Sequence, residues 1–374
     1  MRQQIVERLQ GAMRGNGFDA VVVSSPENYA YVAGFVVPSH SLMRWRHAMA
    51  IVTADGRTAL LTVDLEESTV RNKAAADTDI RVWGEFTDNA MAVLADLLKD
   101  LGLASGRVGV EMDFWPAGPF VELSGTFLPA ARFEATQGLL DRRRQIKTAD
   151  EVELLRQLSR IADRAITDAY GAVRAGMTEM DLAGALTSNV YRYGAEDFRL
   201  MIVATGERSE YPNVGPTERV VQQGDLCRVE IFPKIAGYHA GVCRTAVVGE
   251  AAERPREIWK NLSDCTHLLL ERMKPGASTR EIYEAFIAKF SAFGLPAIDF
   301  VGHGIGVQLH EEPYLGKYGD AELEAGMVLG IEPLIYGRGM GFGLQNKDMV
   351  AVTETGCELL SDYADTDELI RIEA

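Results

Sequence analysis

The run from Asp141 to Val173, DRRRQIKTADEVELLRQLSRIADRAITDAYGAV, constrains this chain more than any other. Three arginines and a lysine lead to Thr148, a residue suited to cap a helix. Glu151 stands three positions on, where a capping box needs it. Behind it, apolar residues recur three and four apart to the end of the run, the pattern of a long amphipathic helix. A helix of that kind opens a new core. A domain boundary is therefore expected near 142, giving domains 1–142 and 143–374, and 374 residues suffice for two domains of ordinary size.

The segments before the boundary alternate between strand and helix character. Residues 3–15 predict an amphipathic helix, and FDAVVVSS predicts a buried strand ended by Ser-Ser-Pro. AMAIVTADGRTALLTV predicts two strands joined at Ala-Asp-Gly. DNAMAVLADLLKDLGL predicts a helix and GRVGVEMD a further strand, which together suggest an α/β domain. Beyond the boundary, helices are expected near 178–192 and 254–293. GDLCRVEIFPKIAGYHAGVCRTAVVG predicts a hairpin turning near Lys234–Gly237. An internal duplication of this half is not visible in the sequence.

Composition excludes some functions. The net charge of −16 argues against a broad basic surface for nucleic acid. No apolar run approaches a membrane span, and MRQQIVERLQGAMRG has no continuous hydrophobic stretch, so a cytoplasmic location is expected. Cys227, Cys243, Cys265 and Cys357 form no CxxC pair.

Five segments of the second half carry chemistry: YPNVGPTERVVQQGD (211–225), VEIFPKIAGYHAGVCRT (229–245), GHGIGVQLHEEP (302–313), GMVLGIEPLIY (326–336) and GLQNKDMVAVTETG (343–356). In order and spacing they resemble the pita-bread fold of the creatinase, Xaa-Pro dipeptidase and aminopeptidase P superfamily. The first half joins the resemblance through SPENYAYVAGF and the linker ending in IKTADEVELLR. The fold class implied is α/β (α+β), with an N-terminal creatinase-like α/β domain and a C-terminal pita-bread catalytic domain.

The metallopeptidases of that superfamily hold two divalent ions with Asp, Asp, His, Glu and Glu, because paired cations need several carboxylates to offset and bridge them. Those ligand positions fall here on Glu230, Gly241, His303, Glu332 and Lys347. Gly241 has no side chain to coordinate with, and Lys347 places an ammonium where a carboxylate belongs. No metal and no cofactor is therefore expected. Creatinase, which hydrolyses a C–N bond without metal, is a closer local match through Thr217–Asp225 and Phe232–Tyr238. Its catalytic His nevertheless falls on Asn213, and a neighbouring Glu falls on Cys243.

The candidate site that the resemblance implies gathers Glu230, His303, Glu332 and Lys347, with Lys347 partly neutralising the carboxylates. His303 is expected as general acid/base, because His titrates near neutrality. His310 and Asn213 are expected to contact substrate. Strand alternation would put His239, Gly241, Cys243 and Thr245 on one face, with Cys243 either a participating thiol or a small core residue. In the first half, LMRWRHAM places Arg44, Arg46 and His47 around Trp45. The position of Arg46 is that of a creatinase arginine that reaches into the neighbouring subunit and holds the substrate carboxylate, so a homodimer with Arg46 acting in trans is expected.

The leading expectation is a metal-independent, creatinase-like hydrolase of a C–N bond in a small carboxylate-bearing compound. Two alternatives stand beside it. One is a metal-dependent Xaa-Pro dipeptidase with a reduced metal site. The other is a non-catalytic pita-bread binding protein.

Overall fold

The computed structural model describes residues 3–373 and separates into two compact units, Met1–Arg144 and Gln145–Ala374. In the first unit six strands form one sheet: β1 Ala20–Val23, β2 Met49–Thr53, β3 Thr58–Val63, β4 Asp79–Trp83, β5 Arg107–Val110 and β6 Arg132–Ala135. Their order is β4-β3-β2-β1-β5-β6. The run Ala-Val-Val-Val of β1 does not alternate, as suits an interior strand buried on both faces. It pairs antiparallel with β2 and parallel with β5. The β2–β3 hairpin turns through Gly56, whose φ of 104° calls for glycine.

After β1, Ser25 caps the helix Pro26–Ala33, with Pro26 in its first turn and Gly34 closing it in the left-handed conformation. This junction rests on Glu111 at the end of β5. The buried carboxylate of Glu111 accepts hydrogen bonds from the backbone N–H groups of Ser24 and Ser25, from Ser25 Oγ at 2.6 Å and from Asn28 Nδ2 at 2.5 Å.

The second unit begins with the helix Ala149–Ala172, whose capping box joins Thr148 and Glu151 reciprocally. One sheet holds β7 Asp197–Thr205, β8 Leu226–Ile235, β9 Tyr238–His239 and β10 Val242–Val248. A second holds β11 Phe300–Gly304, β12 Glu311–Gly316 and β13 Val328–Ile331. A short ribbon follows (β14 Leu334–Ile335 with β15 Leu344–Gln345), then β16 Asp348–Val352, β17 Cys357–Leu359 and β18 Ile370–Ile372. The sheet orders are β18-β10-β8-β7, with β9 on β8, and β12-β11-β13-β16-β17. An antiparallel bridge between Cys243 and Lys347 ties the two sheets together.

The hairpin turns at Ala236 and Gly237, both at positive φ. The expected 254–293 region is two helices, Glu253–Arg272 and Thr279–Ala292, separated at Lys274-Pro275-Gly276. The duplication hidden in the sequence is plain in the burial pattern. Residues 171–200 and 271–300 alternate between buried and exposed almost position for position, differing only at 175/275 and 189/289. Thr178 and Ser278 are the matching caps. The repeat conserves which face of each helix is covered rather than which residue covers it, so it has no clear trace in residue identity. Among the described residues, no helix is long and apolar enough to cross a membrane.

Removing the Glu111 carboxylate leaves several buried donors without an acceptor. Glu111→Ala is expected to destabilise the protein by about 3 kcal/mol or more, and Glu111→Gln by less, because the amide keeps one acceptor oxygen. Denaturant unfolding of the two variants measures this. Equal stability of Glu111→Ala and the native chain would contradict it.

Candidate active site

Of the predicted ligand positions, Glu230 and His303 lie within strands, and Glu332 and Lys347 lie directly at strand ends. Glu230 lies on β8 opposite Cys243 on β10. His303 lies on β11, fully buried, opposite Gly330 on β13. Glu332 follows β13 directly, its N–H donating to the Val301 carbonyl at 2.8 Å. Lys347 precedes β16, and its backbone exchanges two hydrogen bonds with Cys243 at 3.1 and 3.2 Å. The structure brings Glu230, His303, Glu332 and Lys347 together.

At their centre is the Lys347 ammonium. Nζ lies 3.2 Å from Glu230 Oε1, 3.2 Å from Glu332 Oε2 and 3.1 Å from His303 Nε2. An ammonium has three donors, so these three acceptors satisfy it. The Phe232 ring, 4.8 Å away, offers its face to the same charge. Burial opposes the charge on Lys347, but Glu332 and Glu230 outweigh that penalty and raise its pKa. Burial raises the Glu332 pKa, against the lowering influence of Lys347. Gly330 makes room for the lysine stem, since a Cβ there would stand 3.1 Å from Lys347 Cε.

This donor set does not fit a two-metal centre. The cation already present is covalently part of the chain, and it uses the carboxylates and imidazole that a metal would need. The position of the missing second carboxylate is filled as well. A Cβ on Gly241 would come 2.3 Å from the Phe232 ring. Among the described residues, no group of three or more His, Cys, Asp or Glu side chains could hold a metal ion.

His303 differs from expectation. Its Nδ1 lies 2.8 Å from the Gly304 carbonyl, which can only accept, so Nδ1 carries the proton and the Nε2 lone pair faces Lys347. Burial, with Lys347 and His310 adjacent, lowers its pKa well below the usual value. It is therefore neutral, and both its ring nitrogens are engaged, Nδ1 by the Gly304 carbonyl and Nε2 by Lys347, which leaves neither to exchange a proton with a substrate. His310 stacks on it with ring centroids 3.6 Å apart and planes 9° apart. His310 is exposed, and burial of its inner side together with Lys347 lowers its pKa to about 4.

Three other candidates fall outside this cluster. His239 is buried, and both its N–H and Nδ1 are directed at the Gly306 carbonyl. The expected alternation from His239 to Thr245 is broken, because β9 ends at His239 and β10 begins at Val242. Cys243 is fully buried, and burial and then the Glu230 carboxylate push its thiol pKa well up. A thiolate is disfavoured there, which favours the second of the two readings of Cys243, a small core residue. Asn213 is exposed in the loop between β7 and β8. In the first unit, Arg46 pairs with Glu85 at 2.9 Å, and Trp45 Nε1 donates to the same oxygen at 3.1 Å. Arg44, Trp45 and His47 line a cavity of about 530 Å³ with Phe114 and Trp115.

Sequence reasoning missed Phe232, Arg228 and Gln345. Arg228 is fully buried, and Gln345 reaches both Glu230 and Glu332. A buried arginine two residues before Glu230 on a strand was the available signal, since alternation turns both to the same face.

Comparisons with known proteins place this geometry. The model of metallopeptidase family M24 matches residues 153–354, and that of the creatinase/prolidase N-terminal domain matches residues 5–146. An Xaa-Pro dipeptidase of Lactobacillus helveticus is 26% identical over 373 residues, covering 98% of each chain. One of Pyrococcus furiosus is 32% identical over 221 residues, 58% of this chain and 63% of its own. The solved Xaa-Pro dipeptidase from Bacillus anthracis has a TM-score of 0.85 at 25% identity, covering 99% of both chains.

Lys347→Met takes away the cation that lies between two buried carboxylates. It is expected to cost about 3–5 kcal/mol near neutral pH. Without the ammonium, the folded pair holds a proton that the unfolded chain has lost. The variant's deficit should therefore shrink as pH falls from 8 toward 5, and unfolding at several pH values measures it. A deficit that grows on acidification would contradict the assignment.

Proposed function

The chain is a hydrolase of metallopeptidase family M24, and from that membership we propose that it cleaves a C–N bond in a small carboxylate-bearing compound without a metal ion. The single observation that carries this reading is the Lys347 ammonium, within 3.2 Å of Glu230, Glu332 and His303. It supplies the positive charge that the carboxylates need, and it is fixed in place by two backbone hydrogen bonds to Cys243.

In this reading Glu230 and Glu332 receive the nitrogen end of the substrate. Neutral His303 holds Lys347 in place through Nε2 and supports His310 by stacking. His310, the exposed member of the stack, takes the proton of an attacking water. The water oxygen bonds to the carbon, the C–N bond breaks, and the departing nitrogen takes the proton that His310 accepted, which returns His310 to its neutral form. Asn213 offers an amide to the substrate from its loop. Arg46 of a second copy of the chain binds the substrate carboxylate. If so, mixing Arg46→Ala with Glu332→Gln protein should restore one working site per heterodimer, and no recovery after subunit exchange would remove the trans role.

A second reading is a metal-dependent Xaa-Pro dipeptidase, favoured by the activity named for the relatives. Elemental analysis of the purified protein, with chelator treatment and Xaa-Pro dipeptides as substrates, separates the two. We expect no stoichiometric manganese, cobalt or zinc, and no change in melting temperature with chelator or added manganese. About two tightly held ions per chain, with dipeptide cleavage lost on their removal, would establish the peptidase. Under the proposed reading, His310→Asn should keep the fold and lower turnover by roughly 10²–10⁴. A loss under about tenfold would place the proton transfer on another group.

A further inference from the structure

Arg228 and Gln345 form a buried connection between the carboxylate pair and the loop that carries Asn213. The Arg228 guanidinium has no exposed surface and lies 5.0 Å from the centre of the Tyr336 ring. Its Nη1 donates to Gln345 Oε1 at 3.0 Å. On the loop side, Nε donates to the Ser209 carbonyl at 3.2 Å, and Nη2 donates to the carbonyls of Tyr211 and Pro212, the latter at 3.0 Å. These are the backbone groups leading directly into Asn213.

The arginine also fixes which way the Gln345 amide faces. Arg228 can only donate, so the atom beside it must be the amide oxygen. The amide nitrogen is thereby turned toward Glu332 Oε2 at 3.3 Å and Glu230 Oε2 at 3.4 Å. The backbone of Gln345 is held in turn by Thr245, whose Oγ1 donates to the Gln345 carbonyl at 2.9 Å and accepts its N–H at 3.2 Å. Lys347 thus grips the carboxylates through charge, and Gln345 adds a neutral donor to the same pair.

We propose that Arg228 and Gln345 are positioning residues that couple the 209–213 loop to the Glu230–Glu332 pair, so that the loop keeps its course only while the two carboxylates keep theirs. The proposal rests on the reading above in one respect, that Glu230 and Glu332 are the carboxylates the reaction uses. Lysine could not replace Arg228, because one ammonium has too few donors for four acceptors spread over the loop and Gln345.

The test is amide hydrogen exchange of the full chain, which needs neither substrate nor metal. Its failure therefore leaves the hydrolase reading intact, and failure of that reading leaves the exchange result intact. Gln345→Met removes the amide without touching the loop. It should speed exchange of amides 209–214 about tenfold, with β8 and β10 amides unchanged. Gln345→Glu keeps an acceptor for Arg228 but turns a third carboxylate toward Glu230 and Glu332, so under the coupling it too should speed loop exchange, by about threefold or more. Loop exchange unchanged in Gln345→Met, or held at the native rate in Gln345→Glu, would overturn the coupling. If Gln345→Met does not fold, Gln345→Asn, shorter by one methylene, carries the same expectation and the same refutation.

Discussion

Two carboxylates buried side by side cannot both stay ionised without a cation between them, and the arrangement of the second unit follows from that constraint. Glu230 and Glu332 each expose only 5% of their surface. Removing such charges from water costs several kcal/mol apiece unless they are paired and hydrogen-bonded. Family M24 enzymes named as metallopeptidases meet this need with metal. Here Lys347 meets it, on a backbone bridged to Cys243.

The Lys347 ammonium is accommodated by more than one residue. A lysine side chain fills a cavity differently from ions and their ligands, and the surrounding residues match that shape. Gly330 leaves space for the stem, and the Phe232 ring fills the volume that a side chain at 241 would take. His303 turns an unprotonated nitrogen to the ammonium because its other nitrogen donates to Gly304. Beneath them, Arg244 ties Asp163 and Asp348 into a fully buried network and also donates to the Lys347 carbonyl at 2.9 Å. The backbone that delivers the ammonium is therefore fixed by a second, separate set of paired charges.

The sequence was most legible where a residue type has only one use. Thr148 with Glu151 announced a helix start, Ala-Asp-Gly a hairpin, and the non-alternating Ala-Val-Val-Val an interior strand. The gathering of Glu230, His303, Glu332 and Lys347 was reachable only through the resemblance, since no local pattern relates residues spread over more than a hundred positions. Two things were hidden. The protonation state of His303 depends on burial and on the Gly304 carbonyl, neither of which is written in GHGIG. The roles of Phe232 and Gln345 depend on what a neighbouring position lacks. A phenylalanine on a strand reads as core until Gly241 is seen beneath its ring. Cys243 invited a reactive reading because its sequence position is suggestive, and full burial beside a carboxylate removes the thiolate that such a role needs.

The central claim is that the Lys347 ammonium holds the place of the metal ions. Crystals soaked in manganese and measured at the metal's absorption edge test it directly. The account predicts continuous density for the lysine side chain between Glu230 and Glu332, with no anomalous peak there. A strong anomalous peak within coordination distance of Glu230, His303 and Glu332, with Lys347 swung aside, would contradict it.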